Sequence, residues 1–142
     1  MPNSIDVLVV DTDAERRHLI EEAFRDNNSV RFSLPNDFSQ VVEKLIRGGY
    51  KAYILYTRFL SPNGSDSIVP CMEIADRIQR QELSHSKIFM LGSTDDLDHA
   101  QRAGIDRLYY TGGAKQSSEY KPVSDLIRDL KDFLNHQNSI AK

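Results

Sequence analysis

Short apolar runs alternate with stretches of helical period five times along this chain, and that alternation restricts its fold more than any other feature. Residues 5–10, Ile-Asp-Val-Leu-Val-Val, are β-branched and apolar and stop at Asp11-Thr12-Asp13. Leu19, Ile20, Ala23 and Phe24 then recur at the spacing that puts side chains on one helical face. Asp13 is placed to cap that helix by accepting from its free N–H groups, with Glu15 in the favourable first turn, and Asn27-Asn28 closes it. A weaker run at 30–34 gives a second strand. Asp37 and Gln40 have capping-box spacing for a second helix, whose expected inner face is Val41, Val42, Leu45 and Ile46 and whose left-handed stop is Gly48-Gly49.

The third run, 52–56, is the central one. The stretch from Tyr50 to Gly64 passes from apolar residues into a polar loop with Pro62 and Gly64, which is how a buried parallel strand stops at the carboxyl edge of a sheet. Ligands bind at that edge in open α/β sheets, so the residues to watch are Tyr56 and Thr57. After a long loop, Pro70 opens a helix to about residue 81 with Met72, Ala75 and Ile78 inward. Residues 87–91 give a fourth strand, and Gly92-Ser93-Thr94 leads into a short helix with Leu97, Ala100 and Ala103 inward, ended by Gly104. A fifth strand at 106–110 precedes a polar connection, 111–120, that is long for its kind. Pro122 opens the last helix, with Leu126, Ile127, Leu130, Phe133 and Leu134 on its apolar face. Strict alternation with short connections predicts an α/β fold: a flavodoxin-like, doubly wound (βα)5 parallel sheet covered by helices on both faces. One domain is expected over 1–134, followed by a fraying polar tail at 135–142.

Composition narrows the function classes. With 142 residues, 39% of them hydrophobic, the chain suits a single core. No apolar run approaches the roughly 20 residues of a membrane span, and the first residues lack the pattern of a signal peptide, so a soluble cytoplasmic protein is expected. Cys71 is the sole cysteine, which excludes an intrachain disulfide and a cysteine metal cluster and leaves a small apolar helix residue. A net charge of −3 with 18 scattered basic residues fits neither nucleic acid nor an anionic membrane, so protein partners are the default. His18, His85, His99 and His136 lack metal-ligand spacing, and His18 lies off the apolar face, as a solvated histidine. Asp95, Asp96 and Asp98 sit at a helix start, where the dipole favours negative charge without any metal. There is no Gly-rich turn after the first strand, and the Gly spacing in residues 112–118 is wrong for a phosphate loop. Gly92-Ser93-Thr94 at a helix start is only a generic anion signal. No cofactor, metal or enzymatic activity is therefore expected.

Several residues carry a family resemblance. Val9-Val10-Asp11 ending strand one, Tyr50 entering strand three, Gly104-Ile105-Asp106 before strand five and Lys121-Pro122 before the last helix make the chain resemble the receiver domain of two-component response regulators, over nearly its whole length. The resemblance implies that an acidic pair after strand one and an aspartate ending strand three hold Mg²⁺, and that this aspartate takes phosphate from a histidine kinase. It also implies that a Ser or Thr ending strand four and a Lys ending strand five contact the phosphoryl group. Here Asp11 stands first in the pair, with Thr12 beside it and Asp13 next. The acceptor position falls on Tyr56, or on Thr57 one residue on. The strand-four position falls on Gly92 or Ser93. The strand-five position falls on Tyr110 or Thr111, while Lys115 lies inside the long connection and Lys121 beyond it.

Mg²⁺ needs several oxygen ligands in near-octahedral geometry with charge from one or two carboxylates, and Asp11 almost alone cannot supply them. A Tyr or Thr acceptor would form a stable ester, and no general base near it in sequence activates the hydroxyl. The expectation is thus a pseudo-receiver, an atypical response regulator domain that signals by phosphorylation-independent protein–protein interaction. In the family the readout face is helix four, strand five and helix five; Leu108, Tyr109 and Tyr110 are its candidates here, for a partner protein or for a homodimer through that face. Two alternatives stand beside this reading: a phosphorylatable receiver using a displaced acceptor such as Asp66, and a small flavodoxin-like ligand-binding protein.

Overall fold

A computed structural model of the chain describes residues 5–11, 14–26, 29–57, 69–80, 87–92, 97–102, 105, 108–110 and 116–141. Strands and helices alternate throughout them: β1 (Ile5–Val10), α1 (Ala14–Ala23), β2 (Val30–Ser33), α2 (Phe38–Arg47), β3 (Tyr50–Tyr56), α3 (Val69–Arg80), β4 (Lys87–Gly92), α4 (Leu97–Arg102), β5 (Leu108–Tyr110) and α5 (Gln116–Ala141). The strands form one parallel sheet of order β2-β1-β3-β4-β5. The chain therefore reverses its direction of travel across the sheet between β1 and β3, the place where the carboxyl ends of two strands splay and leave a crevice.

Alternate strand residues point to opposite faces, and each face finds its own helices. Leu8, Val10, Tyr53, Leu55 and Met90 pack with Val41 and Leu45 of α2 and with Cys71, Ile74, Ala75 and Ile78 of α3. Val7, Val9, Ile54, Phe89 and Leu91 pack with Ile20 of α1 and with Leu126, Leu130 and Leu134 of α5. Burial on both faces is why the central strands read as continuous apolar runs with no polar alternation.

Local signals account for most element ends. Asp37 caps α2, its side chain accepting from the Gln40 N–H at 2.8 Å, while the Gln40 side chain accepts from the Asn36 N–H at 2.8 Å. Gly48 and Gly49 end the helix at positive φ, 73° and 91°, which glycine adopts without strain, although Gly48 at ψ −167° is extended and not the left-handed helical stop expected. Arg17 of α1 donates to the Leu34 carbonyl and to Asn36 Oδ1, tying α1 to the segment that joins β2 to α2.

Several expectations are corrected. Ile46 does not belong to the inner face of α2: it is 77% exposed, and Val42 is only half-buried, because Val41 and Leu45 alone fill the space against the sheet. The inner face of α3 includes Cys71 and Ile74, both fully buried, whereas Met72 is half-buried at its margin. Strand β3 begins at Tyr50 rather than 52, paired to Asp6 of β1. Helix α5 begins at Gln116, so Lys121 and Pro122 lie inside it and not before it; it also runs on to Ala141, through residues expected to fray. The stripe of Leu126, Leu130 and Leu134 anchors this helix strongly enough for polar turns to extend from both its ends. Asp13, Asn27, Asn28 and Ala103, and the side chains of Leu97 and Ala100, lie outside the described residues.

Candidate functional site

The register fixes where the crevice lies. Val10 pairs with Leu55 and Tyr56 with Leu91, so the carboxyl ends of β1, β3 and β4 stand side by side. Asp11 follows β1 there, fully buried. Tyr56 closes β3, and the Thr57 N–H extends the ladder one step further by donating to the Leu91 carbonyl at 2.8 Å. Thr57 is fully buried as well, and Gly92 at the end of β4, paired to Tyr110, is buried. Asp11, Tyr56, Thr57 and Gly92 thus lie at neighbouring strand ends. Thr12, Asp13, Ser93 and Thr111 lie outside the described residues, as does Asp66.

What fills the crevice is a residue that sequence reasoning passed over. Arg16, on the first turns of α1, grips Asp11 with two parallel bonds: Nε to Oδ2 at 2.6 Å and Nη2 to Oδ1 at 3.0 Å. This is the planar fork that matches a guanidinium to a carboxylate. The same guanidinium lies over the Tyr56 ring, 4.1 Å from its centroid, in cation–π contact. Both ionic groups are almost withdrawn from water, with side-chain exposures of 9% for Arg16 and 1% for Asp11. A signal for this was present in the sequence. Arg16, Ile20 and Phe24 recur every fourth residue, so Arg16 occupies the place where the apolar stripe of α1 would extend toward the carboxyl edge.

The chemistry of the donor set follows. Each oxygen of the Asp11 carboxylate holds a guanidinium N–H, and the residue across from it is a phenol in place of a second carboxylate. A divalent cation would have to break a buried charge-assisted pair, and losing a partner from such a pair costs about 3–5 kcal/mol. The described residues at this edge, one carboxylate already paired to a guanidinium and a phenol, do not fit Mg²⁺. Among the described residues no group of three or more His, Cys, Asp or Glu is placed to hold a metal ion.

The expected readout face also differs. Leu108 and Tyr109 are each only 5% exposed, Leu108 packing on the α2–α3 side of the sheet and Tyr109 on the α1–α5 side, so neither offers the contact area assigned to it. Tyr109 lies beside the Phe89 ring and its hydroxyl donates to Asp129 of α5 at 2.6 Å. The Tyr110 side chain lies outside the described residues. His18 is exposed, 3.7 Å from Glu22, as a solvated histidine should be. No helix among the described residues is long and apolar enough to cross a membrane.

No family model matches the sequence, and no curated protein does either. Solved structures do match. The receiver domain of NtrX from Brucella abortus is similar at 16% identity over 92% of this chain and 98% of its own, with a TM-score of 0.64. A CheY-like response regulator receiver domain protein from Methanospirillum hungatei JF-1 is similar at 13% identity, over 96% of this chain and 98% of its own, with a TM-score of 0.67. The response regulator domain of Thermotoga maritima CheB is similar at 18% identity, over 94% of this chain and 98% of its own, with a TM-score of 0.65. At such identities the likeness is one of architecture: the chain has the CheY-like receiver fold, a five-stranded parallel sheet of order 2-1-3-4-5 between two layers of helices.

Proposed function

We propose that this chain is a receiver-type signalling module that works by binding protein partners and does not use phosphotransfer. The observation that carries the reading is the Arg16 guanidinium, held by both oxygens of Asp11 and stacked on Tyr56. It puts a permanent positive charge where the fold's chemistry calls for a removable one. The Tyr109 hydroxyl bond to Asp129 supports the same reading, because it joins β5 to α5 with no phosphate to direct it. A two-state switch needs a ligand that favours one state over the other, and a domain with its own cation and no acceptor acid is held in one conformation unless a partner shifts it. No catalytic role is assigned to any residue.

The test is incubation with acetyl phosphate and Mg²⁺ followed by intact mass measurement and peptide mapping. The expected outcome is an unchanged mass. A hydroxylamine-labile phosphoryl adduct overturns the reading; found on Asp66, it would favour the displaced-acceptor alternative.

A further inference from the structure

We infer that the outward face of α2 pairs with the same face on a second copy of this chain. Ile46 is the large apolar side chain that stands exposed among the described residues, and Val42, one turn earlier, is half-buried. A single exposed isoleucine is ordinary on a protein surface. The charges beside it are not. Glu43 precedes Arg47 by four residues, the order and spacing that favour an ion pair along a helix. The same order and spacing give a pair in Glu73 with Arg77, Asp76 with Arg80 and Asp98 with Arg102. In α1, Arg25 is spaced for Glu21 but turns to Glu22 instead. In α2 the side chain of neither Glu43 nor Arg47 has an ion-pair or hydrogen-bond partner among the described residues. Position does not account for this, because Arg80 and Arg102 also stand last in their helices and are paired.

Helical geometry makes this face complementary to itself. At about 100° per residue, Glu43 lies between Ile46 and Arg47 around the helix, Val42 lies on the other side of Ile46, and Lys44 is turned away from Ile46. Val41 and Leu45 take the side against the sheet. Two copies of α2 set antiparallel about a twofold axis level with Leu45 bring Glu43 of each level with Arg47 of the other. At a rise of about 1.5 Å per residue, the two Ile46 side chains then stand within about 3 Å of one another along the helix direction. Two ion pairs flank one apolar contact, and each copy supplies the charge that the other lacks. A parallel pairing would set each charge level with its own like, so the charges also choose the direction. A surface of a single sign, such as an anionic membrane or nucleic acid, would satisfy Arg47 and repel Glu43. The contact is small: a single helix face buries less than the roughly 1,200 Å² of a stable specific interface, so the dimer is weak and concentration-dependent.

The test is sedimentation equilibrium of the full chain at concentrations up to about 1 mM. The parent should show a monomer–dimer equilibrium. Ile46→Ser should weaken it about tenfold, the loss expected for one buried aliphatic side chain. Glu43→Arg and Arg47→Glu should each weaken it about tenfold or more, because both ion pairs become repulsions. Mixed in equal amounts, those two variants should associate as tightly as the parent does, since each chain then meets the opposite charge at both positions. All three positions are exposed, so circular dichroism should show the variants folded as the parent is. Recovery on mixing is a result that a loss of fold cannot give. A parent that stays monomeric overturns the inference and leaves this face to some other protein. So does a dimer that Ile46→Ser or either charge reversal leaves unchanged, or that mixing fails to restore. This face ends at the amino edge of the sheet and Asp11 lies at the carboxyl edge, so none of these outcomes bears on the phosphotransfer reading.

Discussion

Tyr53 is a fully buried phenol in the middle of β3 whose hydroxyl has no hydrogen-bond partner among the described residues. Burial, and secondarily the neighbouring Tyr50, pushes its pKa from 10.0 up to about 12. The sign is definite. Below pH 10 folded and unfolded chains both hold the proton; between about 10 and 12 the unfolded chain releases it and the folded chain does not, so stability falls as pH rises across that window. Tyr53→Phe should raise stability by about 1 kcal/mol in urea denaturation at neutral pH, since an unpaired buried hydroxyl is replaced by the same shape without it. It should also shallow the alkaline decline; a less stable variant would mean that the hydroxyl has a partner. Arg16 gives the opposite case. Arg16→Ala strands Asp11 in the interior and should lose about 3–5 kcal/mol, whereas Asp11→Leu with Arg16→Met should recover most of it. Arg16→Met alone, which keeps most of the volume, should stay destabilised, and that outcome would locate the cost in the uncompensated charge and not in lost packing.

At the scale of elements, α2 shows both what a sequence displays and what it conceals. Its cap is local: Asp37 reaches three residues forward, and Asp37→Ala should lower stability by about 1 kcal/mol by thermal or urea denaturation. Such a cap is legible because the partners are neighbours in the chain. The outer limit of its buried stripe is not, because it depends on how closely α2 approaches the sheet; Val41 and Leu45 fill that gap and Ile46 is turned out of it. Helix α5 makes the same point at its start. A proline suits a first turn, yet Pro122 lies in the helix interior, where it removes a backbone donor and crowds the carbonyl four residues earlier, in a segment held by Leu126, Leu130 and Leu134. In the site, Asp11 and Tyr56 were legible from strand ends alone. The place of Arg16 on the apolar stripe of α1 was legible, but its role was not, because a charge there reads as an interruption until the sheet brings Asp11 beneath it and Tyr56 alongside.

For the molecule as a whole, the two-sided core and the crevice are separable. Residues 7–10 of β1 and 52–55 of β3 are fully buried by helices on both faces, so the sheet does not depend on what stands at its carboxyl edge. The side chains at that edge can therefore be changed while the architecture stays. A variant carrying Thr12→Asp, Arg16→Ala and Tyr56→Asp removes the built-in cation and adds two acids to Asp11, making three. Without metal it should be less stable than the parent, because clustered carboxylates repel one another. Mg²⁺ at about ten times its dissociation constant should return about 1.4 kcal/mol, a rise of about 4–5 °C in thermal midpoint for a chain of this size. The parent's midpoint should not respond to Mg²⁺. If the variant responds, the crevice is closed by side chains alone; if it does not, the backbone at the ends of β1 and β3 has itself moved away from metal-binding geometry, and Arg16 is a consequence of that change and not its cause.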